Sequence, residues 1–185
     1  MNTNWLTWLT VASQGALCVT FAMAAGSKTA KVGAFADFRD SLPRMLPVPR
    51  RWVPAVASAV VLAEVTIAVA VVVPVLMVAA FLLAALMMAV FTGAIVTMIR
   101  RGSVEPCHCF GVSSRPPTRI DVVRNLALFG LAVLGLVGSV ASPGPTGLPL
   151  AAVALCAVAG GVLALLVVNL AEIADLWKPT SSASS

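Results

Sequence analysis

Residues 53–98 read VPAVASAVVLAEVTIAVAVVVPVLMVAAFLLAALMMAVFTGAIVTM. Glu64 is the only ionisable side chain in this run, and Pro54 and Pro74 are its only prolines. A helix crosses the hydrocarbon core of a bilayer with about 20 apolar residues, so the stretch is too long for one span. Pro74 has no N–H to continue a helix and pushes the residue before it out of the helical region. It therefore divides the run into spans over 53–73 and 75–98, joined by a tight hairpin. One long helix kinked at Pro74 is the alternative, because uniformly apolar runs have no periodicity to resolve. It would reduce the chain to four spans.

The flanking sequence extends the pattern. Of 185 residues, 60% are hydrophobic and 10% charged, and the mean hydropathy is +1.02. A soluble domain cannot bury that much apolar surface behind so few charges. Further spans fall over 4–26, 120–141 and 148–171, the last two separated by the turn-forming Ser142-Pro143-Gly144-Pro145-Thr146-Gly147. The expectation is all-α: a polytopic transmembrane helical bundle of five spans in one membrane domain, residues 1–177. The polar tail KPTSSASS, 178–185, is expected to be disordered. The first span has no basic residue before its apolar run, and Leu17 spoils Gly15–Cys18 as a lipoprotein cleavage box. It reads as a permanent span, not a cleaved signal.

The net charge of +5 excludes more than it suggests. No compact basic face remains for nucleic acid once the spans are removed. The positive charges orient the bundle instead. Lys28, Lys31, Arg39, Arg44, Arg50 and Arg51 lie between the first two spans, Arg100, Arg101, Arg115 and Arg119 between the third and fourth, and Lys178 in the tail. The N-terminus, the Pro74 hairpin and the 142–147 turn carry no lysine or arginine. The positive-inside rule then places a multi-pass protein in the cytoplasmic membrane, N-terminus outside, C-terminus inside. Residues 29–42 are too polar to cross. Val32, Phe35, Phe38 and Leu42 fall three or four apart, which predicts an amphipathic helix lying at the interface with its apolar side in the acyl boundary, an ordinary loop with a few hydrophobes being the alternative.

The chemistry concentrates between the third and fourth spans, in Cys107-His108-Cys109-Phe110-Gly111. Two thiols one residue apart can close only a small, strained ring, which suits exchange better than stapling. His108 and the neighbouring arginines favour a thiolate. Zinc needs four ligands that three consecutive residues cannot supply, so no zinc site is expected, while two thiolates admit a monovalent copper. A chemically silent loop is the third reading. Cys18 and Cys156 lie within spans at depths that differ by about 9 Å at 1.5 Å per residue, too far to bridge. They are expected to be buried, inert thiols.

Three more polar features lie in the spans. Glu64 in mid-span costs roughly 3 kcal/mol unless protonated or paired. It is either a hydrogen-bonded structural acid, with Thr66 and Asn169 as candidate partners, or a proton carrier or ligand contact. Thr118 and Asp121 have capping-box spacing and start the fourth span. Arg124, one turn further, can snorkel to the interface or point at an acidic or quinone-like ligand. In the fifth span, Ala157 and Gly161 form a small-xxx-small pair that permits close packing, within the bundle or between two copies of the chain.

Together these residues resemble a known family. A first span leading to Lys28, then Phe35, Phe38 and Leu42-Pro43, a span with Glu64, the loop Cys107-His108-Cys109-Phe110-Gly111, and Arg124-Asn125-Leu126 are similar to the methylamine utilisation protein MauE family, related to DoxX-like membrane proteins. The resemblance covers residues 5–140. The family's loop more often reads Cys-Gly-Cys, so His108 is a departure that affects thiol reactivity and metal affinity. The resemblance implies a role in processing, transport or disulfide formation of the methylamine dehydrogenase small subunit, alongside a thioredoxin-like partner. On that reading Cys107, Cys109 and Glu64 carry the chemistry, Lys28, His108, Phe110, Gly111 and Arg124 support it, and a quinone accepts electrons. That maturation takes place outside the cytoplasmic membrane, whereas the charges put the loop inside. The alternative function is a non-enzymatic scaffold or assembly factor of DoxX type. A transporter is disfavoured, because no inverted repeat or interrupted helix pair is visible.

Overall fold

The computed structural model describes residues 4–102, 118–141 and 150–168. It contains six α-helices and one short 3₁₀ turn, with no strand among the described residues. The helices are α1 (Asn4–Thr29), α2 (Ala34–Met45), α3 (Val53–Ala70), α4 (Met77–Arg100), α5 (Arg119–Ala141) and α6 (Leu150–Val168); the 3₁₀ turn, Arg50–Trp52, leads into α3. Five of them, all but α2, are long and apolar enough to cross a membrane. The protein is a multi-pass helical membrane protein. The tail lies outside the described residues.

Pro74 does split the long apolar run, but more widely than expected. The α3 helix stops at Ala70 and α4 starts at Met77, with turns between them. Hydrogen bonds from Val73 N to Ala70 O and from Leu76 N to Val73 O satisfy part of the turn's backbone. Gln14 of α1 donates from Nε2 to the carbonyl of Val71, 3.0 Å away. Val71 is fully buried, so an open carbonyl there would find no water, and a side chain from the neighbouring helix supplies the donor. The four-span alternative is excluded by the break.

The α1 helix is the hub. It packs against α2, α3, α5 and α6, while α4 packs chiefly on α5. Buried Leu17, Phe21, Ile67, Met77, Phe81, Met88 and Leu128 form the core. Hydrophobicity cannot drive this assembly in lipid, so close shape fit must. The Phe81 ring lies where a Cβ on Gly135 would stand, which lets α4 and α5 approach. Between α1 and α6 the contact is closer still: Gly15 faces the backbone of Ala157, and Gly160 faces the backbone of Ala12. The Ala157-to-Gly161 pattern thus works inside the bundle. Trp8 faces Cys156 and Val19 faces Gly161, so the first and fifth spans run parallel, as alternating crossings require.

The amphipathic helix is present with shifted bounds and a different use of its apolar face. It runs from Ala34 to Met45, entered through Gly33 at φ 90°, a left-handed conformation suited to glycine. Val32 precedes it and is fully exposed, so it does not belong to the apolar stripe. Phe38, Ser41, Leu42 and Met45 are buried, and Phe38 and Leu42 pack with Val53 and Ala57 of α3. The apolar face is covered by protein. Pro43 lies inside the helix near its end, where its ring nitrogen cannot donate to the carbonyl of Arg39 and one helical hydrogen bond is forgone.

Candidate functional site

Lys28 decides the site. The first helix runs past the expected end at residue 26 to Thr29, so Lys28 stays helical. Side chains lean toward a helix's N-terminus, so here the ammonium is carried back into the bundle. Nζ donates to the carbonyl of Ala24 at 3.0 Å and to Glu64 Oε1 at 2.7 Å. The two side chains are 2% and 0% exposed. The Phe38 ring lies 5.0 Å from the ammonium, close enough for a cation–π contact. The buried carboxylate anticipated in mid-span therefore has a cationic partner, and it is not one of the two expected. Thr66 is exposed and its hydroxyl donates to Leu62 O at 2.7 Å within α3; Asn169 lies outside the described residues.

A second buried polar group stands at the same depth. Gly138 of α5 faces Leu6 and Thr10 of α1. These helices run in opposite directions, and equal steps from Gly138 to Asn125 and from Thr10 to Met23 bring Asn125 to the Met23–Ala24 level of α1. That is the level at which Lys28 Nζ bonds Ala24 O. Asn125 is completely buried. Neither its amide nitrogen nor its oxygen has a partner among the described residues, and the same holds for Glu64 Oε2. Unsatisfied polar atoms in a dry bundle are costly and mark positions where function or an internal water is accommodated.

The entry to α5 is built as the sequence anticipates. Asp121 Oδ2 accepts from the Thr118 backbone N–H at 2.8 Å and from its hydroxyl at 3.0 Å. Arg124 turns to Asp121 Oδ1 at 3.5 Å, on the same helix face. The contact points back toward the start of α5, the direction that the snorkelling expectation gives. Asp121→Ala removes both the N-terminal acceptor and the arginine's partner. It should cost about 1–2 kcal/mol, as other cap deletions do, seen as a lower unfolding midpoint in detergent. An unchanged midpoint would mean that the cap does not hold α5.

Across the gap, α4 ends at Arg100 and Gly102 takes a left-handed conformation at φ 64°. The segment with Cys107, His108, Cys109, Phe110 and Gly111 lies outside the described residues. Its two tethers, Gly102 and Thr118, stand at the end of the bundle where α1 finishes with Lys28. Cys18 and Cys156 are both free and half-buried. Cys156 Sγ faces the carbonyl of Trp8 at 3.6 Å, well before Cys18 along α1, in keeping with the expected offset.

These features define a helical membrane protein with five candidate spans among the described residues and an ion pair sealed between the first two. The family model for methylamine utilisation protein MauE matches residues 6–138, and the chain belongs to that family. Lys28, Glu64, the Cys107–Gly111 motif and Asn125 all fall within the match, and α6 falls outside it. No curated protein and no solved structure matches the chain.

Proposed function

We propose that this protein takes part in thiol–disulfide exchange during maturation of a partner protein, with Cys107 and Cys109 as the exchanging pair. The observation that carries the reading is the buried Lys28–Glu64 pair at the end of the bundle where the cysteine segment is tethered. Membership of the MauE family supports it. A thiolate of a thioredoxin-like partner attacks the loop disulfide, forming a mixed disulfide and releasing one loop thiolate. The partner's second thiolate attacks the partner's own sulfur in that mixed disulfide and expels the second loop thiolate, so the partner leaves with a disulfide and the loop is left as a dithiol. A bound quinone would supply the acceptor for the two electrons and two protons that the loop dithiol must lose to become a disulfide again. Glu64, held by Lys28, is the proton carrier of this scheme. The basic residues favour a cytoplasmic loop and C-terminus in the cytoplasmic membrane. The family name points to methylamine metabolism as the setting.

Cys107→Ser and Cys109→Ser, each expressed in the native membrane, test the reading. One of the two should accumulate a mixed disulfide with a thioredoxin-like protein that disappears on reduction. If neither traps a partner and both retain function, the exchange reading fails. A double serine variant that still supports assembly of the partner complex would replace it with a scaffold. A membrane-impermeant thiol reagent should label the loop only after the cells are opened.

A further inference from the structure

A basic pocket whose lining includes neither Lys28 nor Glu64 lies between the polar side of α2 and the start of α3. It has a volume of about 510 Å³ and is lined by Arg39, Asp40, Pro43, Arg44, Arg50 and Val53. Residues 39, 40, 43 and 44 follow one another on the helix side opposite buried Phe38, Leu42 and Met45. Packing of the apolar face against the bundle therefore aims this polar side outward. Among the described lining residues Asp40 is the one acid, and its carboxylate sits 2.9 Å from Arg39 Nε. The described lining thus carries three guanidinium groups and one carboxylate. Pro43 and Val53 give it an apolar wall.

We propose that this pocket binds the headgroup phosphate of an anionic phospholipid. Guanidinium forks match phosphate oxygens in a way that ammonium groups do not, and all three cations here are arginine. The position fits a lipid and not a solute. Arg50 opens the turn that feeds a membrane span, so the pocket lies at the boundary where phosphodiesters reside. The apolar wall of Pro43 and Val53 continues into that span, alongside which acyl chains run. Bound there, the lipid ties α2 to α3, the two elements that bring Phe38 and Glu64 to Lys28. The inference is independent of the thiol chemistry, and a Cys107→Ser, Cys109→Ser double variant should bind lipid unchanged.

The full-length protein in neutral detergent is titrated with short-chain phosphatidylglycerol, short-chain phosphatidylcholine and inorganic phosphate, and apparent Kd values are read from native mass spectra. Phosphatidylglycerol should bind at least about tenfold tighter than phosphatidylcholine and weaken as salt is raised. Each arginine removed should cost roughly fivefold, the equivalent of about 1 kcal/mol at a membrane surface. Arg44→Gln with Arg50→Gln should thus lose about 25-fold by the same measure. Lys31→Gln, an exposed charge outside the pocket, should leave affinity unchanged. Equal affinity for both lipids, an equal loss in Lys31→Gln, or displacement of phosphatidylglycerol by equimolar inorganic phosphate would each overturn the proposal. If the double variant does not fold, Arg39→Gln and the salt series on the unaltered protein decide it.

Discussion

Lys28→Met should destabilise the bundle by roughly 3–5 kcal/mol, because it strands Glu64 without its cation. The carboxylate sits well inside α3 at 0% exposure, and its short side chain cannot reach the interface. Glu64→Leu should cost less. The lysine left behind is on the last turn of α1, and its four-carbon stem can swing its charge outward to water. The double variant Lys28→Met, Glu64→Leu should recover most of the loss, since matched apolar replacement of a buried pair is often neutral or better. The readout is the unfolding midpoint of all four proteins in one detergent. A favourable coupling of about 0.5–3 kcal/mol is expected between residues in direct contact. Two single costs that simply add would mean that the 2.7 Å pair contributes no mutual stabilisation.

That asymmetry also explains what the sequence could and could not disclose. Five spans are legible because hydropathy over about 20 residues follows from lipid chemistry alone. Pro74 is legible as a break because a missing N–H acts locally. The Thr118–Asp121 cap is equally local, three residues apart. Lys28 is different. By position it looks like one more cytoplasmic cation, grouped with Lys31 and Arg39 just beyond the first span. Only the extension of α1 to Thr29 and the backward lean of the side chain turn it inward. Its partner is far away in sequence, on a helix with no other charge, and no periodicity links them. The available signal was that Glu64 needs a cation and that Lys28 is the lysine nearest the end of the adjoining span. The face of α2 was misassigned to lipid for a related reason. An apolar stripe does not say whether acyl chains or protein will cover it, and here Val53 and Ala57 do.

Packing of α6 gives the second large effect, and it depends on single hydrogen atoms. Much of this helix is exposed, Leu155, Val158, Val162 and Leu166 among it, and α1 is its principal neighbour. A Cβ added at Gly15 would stand against the carbonyl of Ala157, and one at Gly160 against the carbonyl of Ala12. Backbone cannot rotate aside as a side chain can. Gly15→Ala and Gly160→Ala should therefore each force the helices apart, at about 1–3 kcal/mol for overpacking. The double variant should cost little more than either, because helices already separated accommodate the second methyl. The displacement has its own reporter: Cys156, half-buried against Trp8 O, should react faster with a maleimide in both variants. Gly93 and Gly130 have nothing within 4 Å of an added Cβ. Alanine there should be neutral or stabilising by up to about 1 kcal/mol, from helix propensity alone. If Gly15→Ala behaves like Gly130→Ala in both midpoint and Cys156 reactivity, α6 is not seated on α1 as described, and the fifth span must be held by something other than this backbone contact.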